Sequence, residues 1–261
     1  MPAADSCARF PPWLRDLAGA WIFYTVLPAW PAVPPRFERI ARFAPWIGAV
    51  LGSLQALLWL GLEGRVPRLS QVALVLALGL VLSGGLHADG AMDTADGLAA
   101  GDRRLEAMDD SRVGASGVQA LALLLLLRSA ALAALGSAAP LALLWAAIWG
   151  RVAPLLAMGR FPYLRPEGGS AAFHRRHWRG LGRELRPALL LLVALVLLSL
   201  GQRWPLLGLV GLGPALLVPR WLGRRFGGHS GDTYGACVEW VEALGLLLSA
   251  AVAAIMLPAA G

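Results

Sequence analysis

Charged residues are scarce in this chain of 261 residues, and lysine is absent. Only 15% of the residues are charged, whereas 57% are hydrophobic. Soluble domains usually carry roughly 25% charged residues, so the composition excludes an ordinary soluble domain and indicates a membrane protein. Arginine supplies all 23 basic residues, and the formal net charge is +7. We attribute this positive charge to membrane topology rather than to nucleic-acid binding.

Cysteine is also rare. Cys7 and Cys237 are the two cysteines, and they provide neither a disulfide framework nor the spacing of a metal site. The first residues, MPAADSCARFPP, lack the basic segment and apolar core of a signal peptide. The chain shows no inverted repeat of the kind found in many transporters. A secreted, disulfide-stabilised protein is therefore not expected.

Long apolar stretches predict an all-α, multi-pass membrane protein with a single transmembrane domain over residues 1–261. A span needs about 20 residues, and the stretches that reach or approach this length lie at about 43–62, 70–87, 115–136, 140–158, 186–202, 204–219 and 238–257. The fifth and sixth are short, so we expect about six or seven spans. The shorter stretch from Leu17 to Ala29 is predicted to be an interfacial or half-inserted helix.

Arginines alternate between the loops that join these stretches. They are concentrated before the first stretch and after the second, fourth and sixth, whereas each opposite loop carries at most two. Cytoplasmic loops are enriched in arginine, so the four arginine-rich loops are predicted to face the cytoplasm. We expect the catalytic face there, built from residues 84–117, 159–185 and 220–242.

The segment GGLHADGAMDTADGLAAG, residues 84–101, places three aspartates beside an apolar stretch. Asp89, Asp93 and Asp96 would share one face of a helix, although we expect them in a cytoplasmic loop past the end of a span. Close carboxylates stay ionised together only around a cation. Oxygen ligands suit Mg²⁺, which usually binds one or two carboxylates plus substrate phosphates. The alternative is a solvated loop whose acids merely end the helix.

A second glycine-flanked acid occurs in GGHSGDTYGACVEWVEAL, residues 227–244. Asp232 begins an apolar helix, and Glu239 and Glu242 follow on the same helical face. An acid in a first turn is also favoured by the helix dipole alone, but Glu242 lies deeper, where polar residues are costly and usually functional. The arginine distribution places both segments on the same side of the membrane, so we predict that Asp232 reaches the same metal site as the three aspartates.

Two arginines lie in apolar surroundings, Arg128 and Arg151. Arg151 either extends its side chain to the membrane surface or pairs with a phosphate or an acid such as Glu242, and we favour pairing. The role of Arg128 stays open. In MDDSRVGASG, residues 108–117, Asp110 either caps the next helix or, with Arg112, forms part of a phosphate site.

These motifs resemble those of the cobalamin synthase family, the adenosylcobinamide-GDP ribazoletransferases. The family pattern GGxHLDGLADTADG stands here as GGLHADGAMDTADG, and GGxTGDxLGAxxExxE as GGHSGDTYGACVEWVE. The pattern MrDSrxGxxG appears at residues 108–117, with Asp109 where a basic residue is common. An N-terminal FxTRLPxP appears as FYTVLPAWP, in which Val26 replaces the family arginine. The resemblance covers nearly the whole chain.

The resemblance implies a magnesium-dependent reaction late in cobalamin biosynthesis. A hydroxyl of α-ribazole, or of its 5′-phosphate, attacks the phosphorus joined to cobinamide in adenosylcobinamide-GDP; GMP leaves, and adenosylcobalamin or its 5′-phosphate forms. It also implies a bacterial inner-membrane enzyme whose site faces the cytoplasm, with no nucleic-acid partner. A homo-oligomer, or association with other enzymes of the pathway, stays open.

The predicted site has three sets of residues. The catalytic residues are Asp93, His87 and Arg151. The magnesium ligands are Asp89, Asp93, Asp96 and Asp232. The residues predicted to contact substrate are Gly84, Gly85, Asp110, Ser111, Arg112, Arg165, Gly228, Gly231, Glu239 and Glu242.

Two other functions compete with this one. CDP-alcohol phosphotransferases also use aspartates on membrane helices, in a pattern similar to D-G-x2-A-R…G-x3-D-x3-D. Here Asp89-Gly90 is present, but Ala-Arg does not follow and the later acids are spaced D-x2-D. An ion-coupled transporter would place its acids near mid-membrane on broken helices, whereas we expect these acids past the end of a span.

Overall fold

The computed structural model describes residues 10–165, 168, 171–199 and 206–256. Within these residues the chain is helical and forms no β-strand, apart from an isolated bridge between Tyr163 and His229. The all-α prediction is thus confirmed. The long helices are α1 (Pro12–Tyr24), α2 (Ala44–Leu62), α3 (Arg68–Leu82), α4 (Leu86–Ala99), α5 (Ala115–Leu135), α6 (Ala139–Arg160), α7 (Arg186–Ser199), α8 (Leu212–Phe226) and α9 (Gly231–Met256).

Short helical turns join these helices. They cover Ile40–Phe43, Gly101–Arg103, Arg104–Ala107, Gly136–Ala138, Ala172–Arg176, Leu181–Glu184 and Leu207–Val210. Helix α1 ends at Tyr24, several residues before the predicted end near Ala29. The chain becomes extended at Thr25, and the prolines of PAWPAVPP that follow do not support a helix.

Three helical segments are long and apolar enough to cross a membrane: Ile40–Leu62, Ala115–Arg160 and Gly231–Met256. Helices α3 and α4 add a fourth if the bent pair is one span. The expected six or seven spans are therefore not confirmed. Helix α7, in the fifth predicted stretch, is a shorter apolar helix, and residues 200–205, at the junction of the fifth and sixth stretches, lie outside the described part of the chain.

The segment Ala115–Arg160 is a helical hairpin. Arg128 in α5 and Arg151 in α6 both bind the carboxylate of Glu242. In a straight helix, residues 23 positions apart would be separated by about 35 Å, at 1.5 Å per residue. The chain folds back at Gly136, whose φ of +51° is readily adopted only by glycine.

Helices α3 and α4 meet at an angle of 91°. Gly84 and Gly85 form the corner with φ values of +62° and +72°, and Gly85 precedes the first residue of α4. The prediction that Asp89, Asp93 and Asp96 lie in a loop past the second span is therefore wrong, because all three lie on helix α4. Acids on a broken helix are also what the alternative function, an ion-coupled transporter, would require.

Helix α9 packs against α4, α5, α6 and α8. Small residues bring α4 and α9 close together, as is common between membrane helices. A Cβ atom at Gly90 would lie 2.7 Å from the backbone oxygen of Asp232, and one at Gly235 would lie 3.1 Å from the backbone oxygen of His87. This close approach sets the acid segment of α4 beside the start of α9.

We expect Gly90→Ala to lower the free energy of unfolding by about 1–3 kcal/mol, because the added methyl group overlaps the backbone of α9. The apparent unfolding temperature in detergent measures this change. Gly61→Ala is the matched control, since open space surrounds Gly61 in α2, and its helix should gain stability by up to about 1 kcal/mol. Equal behaviour of the two variants would contradict the tight α4–α9 contact.

Candidate functional site

A cavity of about 720 Å³, including its mouth, lies between α1, α2, α4, α6 and α9. We call it the acid cavity, because Asp89 and Asp232 line it. The structure thus brings together carboxylates from two glycine-flanked segments that are far apart in sequence. Three further predicted residues line the same cavity, namely His87, Arg151 and Gly231.

The mouth of the acid cavity is polar. Asp89 is exposed, and the Asp232 side chain is 23% exposed. The guanidinium of Arg165 lies 3.7 Å from Asp232 and 2.6 Å from Asp109, so Arg165 lies beside Asp232 at the mouth. Asp93 is partly buried and outside the cavity lining, one helical turn after Asp89 on α4.

Asp96 has a different environment from the other acids. Its two carboxylate oxygens accept hydrogen bonds from the backbone N–H groups of Gly114 and Gly117, each at 2.8 Å. These N–H groups belong to the first turn of α5, which lacks partners within its own helix. Asp96 therefore caps α5 from α4. Asp110, which we considered as the cap, instead binds Arg112 at 2.7 Å.

The donor set at the mouth suits a hard cation only in part. Asp89, Asp93 and Asp232 offer oxygen ligands, which Mg²⁺ prefers. Among the residues that the structure describes, however, no group of three His, Cys, Asp or Glu side chains is arranged to hold a metal ion. These residues fit a magnesium ion held by one or two carboxylates, with substrate phosphates completing its coordination.

The segment MDDSRVGASG, residues 108–117, lies outside the lining of the acid cavity. Asp110, Ser111 and Arg112 are exposed, and the Arg112 side chain is 87% exposed. The bonds between Asp110 and Arg112 hold the pKa of the Asp110 carboxyl at about 2. The structure thus gives these residues a mutual ion pair at the surface and no contact with Asp89 or Asp232.

Gly228 has a packing role near the site. A Cβ atom there would lie 2.7 Å from the backbone oxygen of Pro162. The neighbouring His229 accepts a backbone hydrogen bond from Leu164 and donates one to Pro162. These contacts fix the segment that ends in Arg165, so Gly228 acts on the site through that segment.

A buried cluster of two arginines and two glutamates lies beside the acid cavity. Arg128 binds Glu239 at 2.8 Å and Glu242 at 3.2 Å, and Arg151 binds Glu242. The predicted pairing of Arg151 with Glu242 is confirmed. Together with Gln55, the cluster lines a second cavity of about 560 Å³, including the open space at its mouth. Glu239 and Glu242 therefore face this second cavity, and only Arg151 of the cluster also lines the acid cavity.

Arg151 is held firmly at the boundary between the two cavities. It is 5% exposed and also donates a hydrogen bond to the backbone oxygen of Ala147 at 3.0 Å. A Cβ atom at Gly48 would lie 2.8 Å from Arg151 Cδ, so the glycine in α2 leaves room for the arginine stem. The guanidinium is thus placed by α2, α6 and α9 together.

The residues on the inner side of the acid cavity were not predicted from the sequence. This side is lined by aromatic and small apolar residues, chiefly Phe23, Tyr24, Ala41, Ala44, Met158 and Tyr234. Some signal was present, because Phe23 and Tyr24 open FYTVLPAWP and Tyr234 lies in the segment with Asp232. Aromatic residues in an apolar chain do not by themselves distinguish a cavity wall from core packing.

Two buried histidines make stability depend on pH. Burial lowers the pKa of His174 to about 3 and that of His229 to about 4. The unfolded chain, with a histidine pKa near 6.5, binds more protons below that value. Stability should therefore be full above pH 6.5 and fall below it, by about 2 kcal/mol for each histidine at pH 5.

The apparent unfolding temperature at pH 7 and pH 5 measures this dependence. His174→Phe should reduce the difference between the two values. His177→Phe is the control, because His177 lies in the same segment but is more exposed, and it should leave the difference unchanged. If His174→Phe and wild type lose the same stability on acidification, His174 is not the group that takes up the proton.

The fold and site together define a class: a helical protein with membrane-length apolar helices and a carboxylate-edged cavity between them. A family model described as cobalamin-5-phosphate synthase matches residues 16–250. The chain belongs to this family.

Three relatives of known name align with this chain along most of their length. A protein of Prochlorococcus marinus strain MIT 9303, named adenosylcobinamide-GDP ribazoletransferase, is 62% identical over 253 residues, which are 93% of this chain and 97% of the relative. A protein of the same name from strain MIT 9313 is 60% identical, over 96% and 99% of the two chains. One from Thermosynechococcus vestitus is 45% identical, over 88% and 93%. No solved structure matches the chain.

Proposed function

We propose that this chain is an adenosylcobinamide-GDP ribazoletransferase. It transfers the cobinamide phosphate of adenosylcobinamide-GDP to α-ribazole or its 5′-phosphate, releases GMP and forms adenosylcobalamin or its 5′-phosphate. The observation that carries the proposal is the shared cavity of Asp89, Asp232 and Arg151. The names of the relatives support the choice of substrates.

The reaction needs charge neutralisation and alignment more than covalent help from the protein. A ribose hydroxyl oxygen of the acceptor attacks the phosphorus bonded to cobinamide, and the bond from that phosphorus to the GMP oxygen breaks. The carboxylate of Asp89 or Asp232 takes the hydroxyl proton. Arg151 and Arg165 stabilise the charge on the diphosphate and on the leaving GMP.

His87 and Asp96 support this chemistry from α4. His87 is 5% exposed, and its Nδ1 atom has no hydrogen-bond partner among the described residues, so it orients a substrate hydroxyl. Asp96 holds the start of α5 against α4. Asp96 thereby fixes the position of the helix that carries Asp89 and Asp93.

Magnesium is part of the proposal. One or two of the carboxylates of Asp89, Asp93 and Asp232 would hold the ion, and when bound it would neutralise oxygens of the substrate diphosphate. We further propose that the protein lies in the bacterial inner membrane with the acid cavity open to the cytoplasm. Support comes from the arginine-rich loops, since Arg165 and Arg175 belong to the same predicted cytoplasmic segment.

The test is GMP release by the purified protein in detergent, from adenosylcobinamide-GDP and α-ribazole 5′-phosphate. We expect one GMP for each cobamide formed, and no GMP when the acceptor is omitted. A transporter would release no GMP without a membrane, and a CDP-alcohol phosphotransferase would release CMP from its own substrate. Undiminished activity in excess chelator would contradict the magnesium part of the proposal alone.

A further inference from the structure

Phosphate chemistry accounts for the mouth of the acid cavity but not for its inner wall. There the rings of Tyr24 and His87 stack with their centroids 6.1 Å apart, and Phe23 meets His174 edge to face at 5.9 Å. Tyr24, His174 and Tyr234 are all at least nine-tenths buried. A wall of aromatic rings behind a charged mouth suits a ligand with one flat apolar part and one polar part.

Several buried polar atoms of this wall have no protein partner. His87 Nδ1, Arg151 Nε, His174 Nδ1 and the Tyr234 hydroxyl lack a hydrogen bond among the described residues, and all four residues line the acid cavity. Buried polar groups are nearly always hydrogen-bonded in folded proteins. Because these four atoms belong to residues that line one cavity, a ligand with ring nitrogens or hydroxyl groups is indicated, which would form the missing hydrogen bonds.

Relative size separates the two substrates. A corrin ring with its amide side chains is several times larger than a nucleoside. The flat base of the nucleoside is therefore the part that enters between the aromatic residues of the inner wall, and the larger corrinoid stays outside the mouth, with its diphosphate at Asp89 and Asp232.

We infer that the inner part of the acid cavity binds the acceptor nucleoside, with its flat heteroaromatic base among Tyr24, His174 and Tyr234 and its ribose directed toward Asp89 and Asp232. The inference rests on the proposed function and adds the orientation of the two substrates. The Tyr234 hydroxyl and His174 Nδ1 bind the polar edge of the base. The attacking hydroxyl then meets the diphosphate at the mouth.

Tyr234→Phe tests the inference, because it removes one hydroxyl and keeps the ring. We expect the KM for α-ribazole 5′-phosphate to rise about tenfold, the loss typical of one buried hydrogen bond, while the KM for adenosylcobinamide-GDP stays within twofold. Tyr163→Phe is the matched control. Its ring stacks on Tyr234 at 6.2 Å, but Tyr163 does not line the acid cavity, so both KM values should stay unchanged.

A second variant tests shape instead of hydrogen bonding. Ala44→Leu fills part of the cavity and should weaken binding of α-ribazole, measured by calorimetry on the detergent-solubilised protein with no second substrate. Its apparent unfolding temperature is measured alongside, so that weaker binding is distinguished from a loss of folding at the buried Ala44 position.

The outcomes separate the inference from the proposed function. If wild type releases no GMP, the proposed function fails, while calorimetry still decides whether the cavity binds a nucleoside. If wild type is active but Tyr234→Phe raises the KM for adenosylcobinamide-GDP instead, the inference is wrong and the function stands. Unchanged α-ribazole binding by both Tyr234→Phe and Ala44→Leu would also overturn it.

Discussion

Asp232→Asn should lower the rate of GMP release at least about a hundredfold, equivalent to about 2.7 kcal/mol of barrier. The amide keeps the size of the side chain but removes the negative charge at the mouth of the acid cavity, where Arg165 lies 3.7 Å away. It also removes an oxygen ligand and an acceptor for the substrate proton. The rate at saturating substrates, as a function of magnesium concentration, measures the loss.

Two other variants extend this experiment. Asp89→Asn, at the same mouth, and Asp93→Asn, beside it, should show losses of similar size, with partial recovery at high magnesium if the ion site is only weakened. Asp102→Asn is the control, since Asp102 is exposed on a turn after α4, and its rate should match wild type. Equal yields in detergent would show that all four variants fold. Wild-type rates for Asp232→Asn would remove Asp232 from the site.

Arg151→Lys should lower the rate about fiftyfold, equivalent to about 2.3 kcal/mol of barrier. The planar guanidinium binds Glu242 and the backbone of α6 and still presents an unpartnered Nε atom. A lysine ammonium is a point charge and cannot serve all of these partners at once. The folded yield should fall only slightly, because Glu242 keeps Arg128 as a partner at 3.2 Å.

Arg128→Lys is the matched control for this prediction. Arg128 belongs to the same buried cluster but does not line the acid cavity. The variant should lose stability in the same way as Arg151→Lys and retain most activity. Equal activity losses would mean that both arginines act through the fold, and near-normal turnover of Arg151→Lys would exclude Arg151 from the catalytic site.

Asp89 and Asp232 line one cavity, as expected for two acidic segments predicted to open on the same side of the membrane. Their role as metal ligands stays a prediction, and the helices around them were predicted less well. The right-angle corner at Gly84 and Gly85 was missed. Hydropathy continues through residue 86, so an apolar window contains no sign that the helix changes direction.

The partners of each acid depended on contacts that a single sequence does not reveal. Asp96 shares the spacing of Asp89 and Asp93, yet its carboxylate caps α5. The predicted six or seven spans are not confirmed for a similar reason, since apolar length does not distinguish a crossing helix from a shorter one such as α7. The ion pair of Arg151 with Glu242 was predictable, because a buried charge needs a partner of opposite sign.

Arg151 forms part of the wall of both cavities. An anionic ligand that binds this guanidinium in the acid cavity would weaken its ion pair with Glu242, which lines the second cavity. Thermodynamic linkage makes such an effect equal in both directions. The second cavity is bordered by Leu80 and Leu125, which are exposed on the surface of α3 and α5. The lipid or detergent that covers these leucines is therefore an experimental variable of turnover, to be held constant whenever two variants are compared.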